Sequence, residues 1–292
     1  MTELDCLPCF FGQVTRTLSH AGINGDAGRR ILRRAETVIG DASLDQAPAR
    51  ITTVIHRLLR EETGVDPYKR VKDLYNRIAL GTLPGLRQMA AGAPDALEAG
   101  VRLAIAGNVI DFGIYESFDL DRSIEDSFRL PLSRTDYLGF ARAVHDSRRI
   151  LYLCDNAGEI VFDRVLIEIL RDMGKDVTVV VKGSPVINDA TLQDAADAGL
   201  AECATVIDNG NDGIGTLLEV CSEPFMDAYR SSDMIISKGQ ANYETLEQEE
   251  DKRTFFLFKV KCPVVARALK RDNGDIVLRG NMERADHAGV KN

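Results

Sequence analysis

The chain has 292 residues, 45% of them hydrophobic and 28% charged, with a formal net charge of −9. That length admits two domains or one large α/β domain, and the negative balance excludes nucleic-acid backbone binding as the main task, since that needs a basic face. No apolar run reaches the ~18 residues of a membrane span, and the start Met1-Thr2-Glu3-Leu4-Asp5-Cys6 lacks the basic and apolar regions of a secretory signal, so the cytoplasm is the expected location.

The first half reads as helical. Apolar positions recur at three- and four-residue spacing over 10–22, 27–39, 47–63, 67–80 and 94–112. Asp26 and Pro94-Asp95 supply helix starts. Phe118 to Pro131 reads as a connecting segment, and Arg134 to Asp146 as a further amphipathic helix. Beyond about residue 148 the period changes. Short β-rich runs occur at 150–154, 176–181, 204–207, 234–237 and 255–260, with a weaker one at 275–278. Helical stretches intervene at 159–173, 189–198, 214–230, 243–249 and 263–270. Such alternation predicts a parallel sheet with helices on both faces. The expected fold class is α/β: an all-helical domain over 1–148, then a Rossmann-like α/β/α domain over 149–292, with the site in the cleft between them.

Ligands of open α/β sheets bind outside the carboxyl ends of the strands, and four of these runs end in polar clusters. The first gives Asp155, Asn156, Gly158 and Glu159; the second gives Lys182, Asn188 and Asp189. The third is the glycine-containing run from Asp208 to Thr216, and the fourth gives Lys238, Gly239 and Asn242. Asn188-Asp189 could equally cap the following helix, and the glycines of the third loop could merely shape a turn. Together the loops offer more. Asp155, Asn156 and Asp189 form an all-oxygen set suited to magnesium, manganese or a similar hard ion. Lys238 would neutralise a phosphoryl group as a point charge, and loop amides would add donors. Asn108 and Asp111, three apart, would share a helix face turned to the cleft, unless Gly113 simply ends that helix. The reaction class is metal-assisted phosphoryl hydrolysis. Cys6-x-x-Cys9 is half a zinc site, but the other cysteines are too dispersed to complete it, so packed structural thiols are expected.

Asp155-Asn156-Ala157-Gly158-Glu159, Lys182-Gly-x-Pro185 with Asn188-Asp189-Ala-Thr191, and Lys238-Gly-Gln-x-Asn-Tyr-Glu244 together resemble the metal-dependent damage-control phosphatases. That family is also known as domain of unknown function eighty-nine and includes acidic residue methyltransferase-like proteins. The cluster from Ala106 to Asp111, the run Lys261 to Ala266 and Cys6-x-x-Cys9 are similar to its prokaryotic branch. The resemblance implies metal ligands at Asp155, Asn156 and Asp189 and a phosphate-binding lysine at Lys238. It also implies hydrolysis of small phosphomonoesters (sugar phosphates, phosphopantetheine or damaged phosphometabolites) with magnesium, manganese, cobalt or nickel. Asn108, Asp111 and Glu244 are pocket residues by the same resemblance.

Three rival readings meet the same residues. A haloacid-dehalogenase-type phosphatase needs a second acid two residues after the nucleophile, and position 157 is alanine. A carboxyl methyltransferase using S-adenosylmethionine would prefer a Gly-x-Gly turn after the first strand, where only one glycine stands. A non-catalytic phosphometabolite sensor would not need acids in the strand-end loops.

Overall fold

The computed structural model describes residues 2–108 and 120–281. Asp111, expected to face the cleft, lies outside these described residues. The chain opens with three amphipathic helices, α1 (Leu7–His20), α2 (Gly25–Gly40) and α3 (Pro48–Thr63). A proline in the first turn of α1 and of α3 suits both starts. They bury Phe10, Val14, Ile31, Ala35, Ile55 and Leu59 against one another in a core of their own.

Four further helices follow: α4 (Lys69–Gly92), α5 (Ala96–Gly107), α6 (Leu120–Arg129) and α7 (Arg134–Asp146). Asp95 caps α5 by accepting from Glu98 N, as the Pro94-Asp95 signal predicts. Two expectations are corrected here. The helix expected to end at residue 80 runs on to Gly92 through Pro84, because Leu83, Leu86 and Ala90 keep the apolar spacing and are buried. Burial there outweighs the helix-breaking tendency of Gly81, Pro84 and Gly85. The connecting segment expected over 118–131 contains α6; Arg102 donates to Ser127 O in its last turn (2.8 Å) and to Leu130 O just beyond it (3.0 Å). Leu120, Ile124 and Phe128 recur at four-residue spacing there, a short helical stripe that the reading as a connector overlooked.

The remaining elements alternate: β1 (Arg149–Leu153), α8 (Glu159–Asp172), β2 (Asp176–Val181), α9 (Leu192–Asp197), β3 (Thr205–Asp208), α10 (Glu223–Ser231), β4 (Met234–Lys238), α11 (Gln240–Leu246), β5 (Thr254–Lys259), α12 (Pro263–Leu269) and β6 (Ile276–Gly280). The helix expected over 214–230 begins only at Glu223, where Pro224 is accommodated in the first turn. Among the described residues the sheet has strand order β3-β2-β1-β4-β5-β6. The first five strands are parallel, and β6 returns antiparallel to β5, which a parallel reading of every run missed. The α/β fold class stands.

Both sheet faces are covered, so the central strands read as continuous apolar runs. Ile150, Tyr152, Val179, Met234 and Ile236 share a core with α4, α5, α7 and α8. Leu151, Leu153, Ile235, Phe256 and Phe258 pack on Phe225 of α10, Tyr243 of α11 and Val265 of α12. Residue 148, where the helical segment was expected to end, thus falls between elements of one continuous core. Gly107 allows α5 to lie directly on α8, since a Cβ there would stand 2.8 Å from Phe162 Cβ.

In the α1–α3 core, buried His56 bonds Gln13 Oε1 at 3.1 Å. Burial, helped by the charges of Arg60 and Arg16, lowers its pKa from 6.5 to about 3. The unfolded chain therefore takes up a proton near pH 6.5 that the folded protein refuses until about pH 3. Stability from this group is complete above pH ~6.5 and is lost as pH falls toward 3. His56→Gln should flatten that acid limb by several kcal/mol relative to the parent, read from urea unfolding at pH 7 and pH 4.

Candidate metal and phosphate site

The strand order reverses between β1 and β4, and this switch point is where the polar residues gather. The chain leaving β2 doubles back across the end of β1. Asn156 and Asp189 form an antiparallel bridge, Ala157 N donates to Asn188 O (2.9 Å), and Ala190 N donates to Asp155 O (2.8 Å). These backbone bonds bring Asp155, Asn156 and Asp189 side by side, as the sequence reading required. Ile187, just before them, holds φ at +43°, a rare conformation for a β-branched residue. Its side chain packs with Ala49 of α3, Val186, Ile214 and Ala241, so α3 bears on the loop that carries Asp189.

Hydrogen bonds orient the ligand set. Asn156 Nδ2 donates to Asp155 Oδ2 (2.8 Å) and Glu159 Oε2 (2.9 Å). Asn108 Nδ2 donates to the same two oxygens, each at 2.9 Å. With its N–H atoms spent on carboxylates, the Asn156 amide has its Oδ1 left for a cation. Asp189 Oδ2 is buried and accepts no hydrogen bond, although the Lys182 ammonium forms an ion pair with it at 3.5 Å. Burial pushes the Asp155 carboxyl well above its usual range, and Glu159 and Asp189 push it further, against Lys261 and Lys182. Burial raises Asp189 as well, with Lys182 opposing.

A buried anionic cluster with an unsatisfied oxygen is the environment a divalent cation stabilises. Among the described residues no three His, Cys, Asp or Glu side chains group so as to hold an ion. The set is instead two acids and an amide, which fits a hard ion that keeps waters and takes phosphate oxygens.

Lys238 was expected to meet a phosphate, and its ammonium is here engaged within the protein. Met234, Ile236 and Lys238 alternate onto the α5/α8 face of the sheet, so its ammonium points into the core instead of the strand edge. It is fully buried and donates to Ala104 O (2.9 Å), Glu159 Oε1 (2.6 Å) and Asp163 Oδ1 (2.6 Å). Its three donors are all engaged by these groups. Burial alone would lower its pKa, but Asp163 and Glu159 hold it above the ordinary lysine value. Burial raises Asp163 to about 7 despite Lys238, and Tyr152 OH adds a hydrogen bond to it at 2.7 Å.

Most of the other expected substrate contacts also have partners within the protein. Gly158 N donates to Asn76 Oδ1. Gly239 N donates to Leu257 O, and a Cβ at Gly239 would overlap the Asp155 carboxylate. Asn242 is consumed by Cys154 O, Lys238 O and Thr216 Oγ1. Asn108 Oδ1 accepts from Lys259 N. Lys182 bonds Gly215 O as well as pairing with Asp189. Asn188 Nδ2 is buried and lacks a hydrogen-bond partner. Glu244, held to Gln240 at 2.8 Å, is raised to about 7 by burial, and lies in a different place, its charge reaching the thiol of Cys6. Cys6 is buried, Cys9 exposed, and both are free. Sequence reasoning missed Asp163 and the electrostatic reach of Lys261. The i,i+4 spacing of Glu159 and Asp163 on α8 was the available signal.

This is an α/β architecture with a buried cluster of acids and amides at the switch point of its mostly parallel sheet. A sequence profile described as the damage-control phosphatase ARMT1-like domain matches residues 2–277. The chain is 40% identical over 285 residues to protein MJ0202 of Methanocaldococcus jannaschii, covering 94% of this chain and 93% of that protein. It is 35% identical over 286 residues to the damage-control phosphatase PH1575 of Pyrococcus horikoshii, covering 96% and 98%. The crystal structure of that Pyrococcus horikoshii protein, of the DUF89 family, matches with a TM-score of 0.86 at 33% identity, over 96% of this chain and 99% of that one. The chain belongs to the damage-control phosphatase ARMT1-like family and is a metal-dependent phosphatase.

Lys238→Met should therefore act on stability first, because it strands two buried acids without their cation. A loss of about 3–5 kcal/mol in denaturant unfolding is expected. A lysine serving only a phosphate would leave stability within about 0.5 kcal/mol.

Proposed function

We propose that the protein hydrolyses small phosphomonoesters of phosphorylated metabolites, with Asp155, Asn156 and Asp189 holding one divalent ion, magnesium or manganese by the hardness of the donor set. The observation that carries this reading is the buried Asp189 Oδ2, which accepts no hydrogen bond and has only the Lys182 ammonium at 3.5 Å, beside Asn156 and Asp155 in the loops that follow β2 and β1. A bound ion would supply charge neutralisation at the phosphoryl group and acidify a water.

The chain's own residues do the rest. Glu159 and Asn108 hold the Asn156 amide and the Asp155 carboxylate in one orientation. Lys182 and Lys261 oppose the local negative charge, which favours approach of an anionic ester. The unpartnered Asn188 Nδ2 offers a donor to a phosphate oxygen. The family relationship and the name of the Pyrococcus horikoshii relative support phosphatase chemistry at this site.

Hydrolysis of p-nitrophenyl phosphate should require added divalent metal. Asp155→Ala and Asp189→Ala should each lower kcat by about 100-fold or more while circular dichroism shows the fold intact. Full activity in excess chelator would overturn the reading.

A further inference from the structure

Three polar side chains of the core lie behind the site and have been given no role in it so far. Lys72 and Asn76 lie on the inner face of α4, and Asp194 opens α9; each is at most 3% exposed. Buried polar groups of this kind are retained only where their bonds are satisfied, and here the bonds lead to the two ligand loops. Asn76 Oδ1 accepts from Gly158 N at 2.6 Å, closing the turn that carries Asp155 and Asn156. Its Nδ2 donates to Asp194 Oδ1 at 2.9 Å. Asp194 Oδ2 accepts from Thr191 N (2.9 Å) and Thr191 Oγ1 (2.7 Å), two residues beyond Asp189. Lys72 balances the charge, 3.3 Å from Asp194 and 3.3 Å from Asp66.

Helix capping explains the bonds from Asp194 to Thr191, which form a capping box. It does not explain why a second helix, α4, buries an amide that joins this cap to Gly158. Gly158 holds φ at +76°, so its N–H direction is set by an unusual backbone, and Asn76 is the partner that receives it. The two loops otherwise meet through their own backbone bonds near Ala157 and Ala190. We propose that Asn76, with Asp194 and Lys72, is a clamp that sets the spacing between Asp155-Asn156 and Asp189, and so tunes the affinity for the divalent ion. Asn76 is a positioning residue, and its role rests on the reading of those three residues as the metal ligands.

The test is Mn²⁺ titration followed by electron paramagnetic resonance on the intact protein. Asn76→Ala should raise the Mn²⁺ dissociation constant about 10–100-fold, the effect typical of losing a group that orients metal ligands. Its p-nitrophenyl phosphatase activity should return to within a few-fold of the parent at saturating Mn²⁺. Leu86→Ala, which opens a cavity ten residues further along the same helix and removes no hydrogen bond to either loop, should leave the dissociation constant unchanged despite losing stability. Should Asn76→Ala fail to fold, Asp194→Asn carries the same expectation. Parent-like Mn²⁺ binding by the clamp variant, or equal weakening by Leu86→Ala, overturns the clamp. A parent protein that takes up no Mn²⁺ overturns the metal reading itself, and the clamp with it.

Discussion

The ammonium of Lys238 occupies a space closed to water between β4, α5 and α8, surrounded by a carbonyl and two carboxylates. Any one of these charges alone would cost several kcal/mol to bury. Together they are tolerated, and the geometry that makes them tolerable orders everything above them. Glu159 gives one oxygen to Lys238 and turns the other toward Asn108 and Asn156. Those amides pass the orientation on to Asp155. The ion network contributes position more than net stability, because a hydrophobic replacement of similar volume could match its energy but not its directions.

The same logic places the helical elements in the chemistry. α5 brings Asn108 to the site by lying close on α8 at Gly107. α3 packs on Ile187 beside Asp189, and its Arg57 and Arg60 pair with Asp212 of the β3 loop. Arg60 also bonds Pro185 O in the β2 loop. Helices that would look like a separate cap by chain position are therefore walls and braces of the strand-end loops. No helix among the described residues is long and apolar enough to cross a membrane.

Much of this was legible in the chain. The apolar runs located all six strands of the described sheet to within a residue or two, because central strands buried on both faces leave an uninterrupted β-rich signal. Asp155 and Asn156 were legible as candidates because they stand just after such a run, and Asp189 because it lies in the loop that follows the next one. The buried partners of Lys238 were not legible. Its place at a strand end was read, but its parity with Met234 and Ile236 was not, and parity decides which face a strand residue serves. Lys72 and Asn76 were hidden for a related reason: two polar residues one turn apart on an otherwise apolar face of α4 read as noise until their partners are known.

Local pattern alone determined the α/β class, the positions of the strands and the oxygen-rich chemistry at their ends, since periodicity and strand termini are properties of neighbouring residues. Only the tertiary structure decided which polar groups face a ligand and which are spent on one another. That decision depends on pairs far apart in the chain, such as Lys238 with Glu159 and Asp163, or Asn76 with Gly158. A donor already committed to a buried acceptor has nothing left for a substrate, and no spacing rule within one segment reveals the commitment.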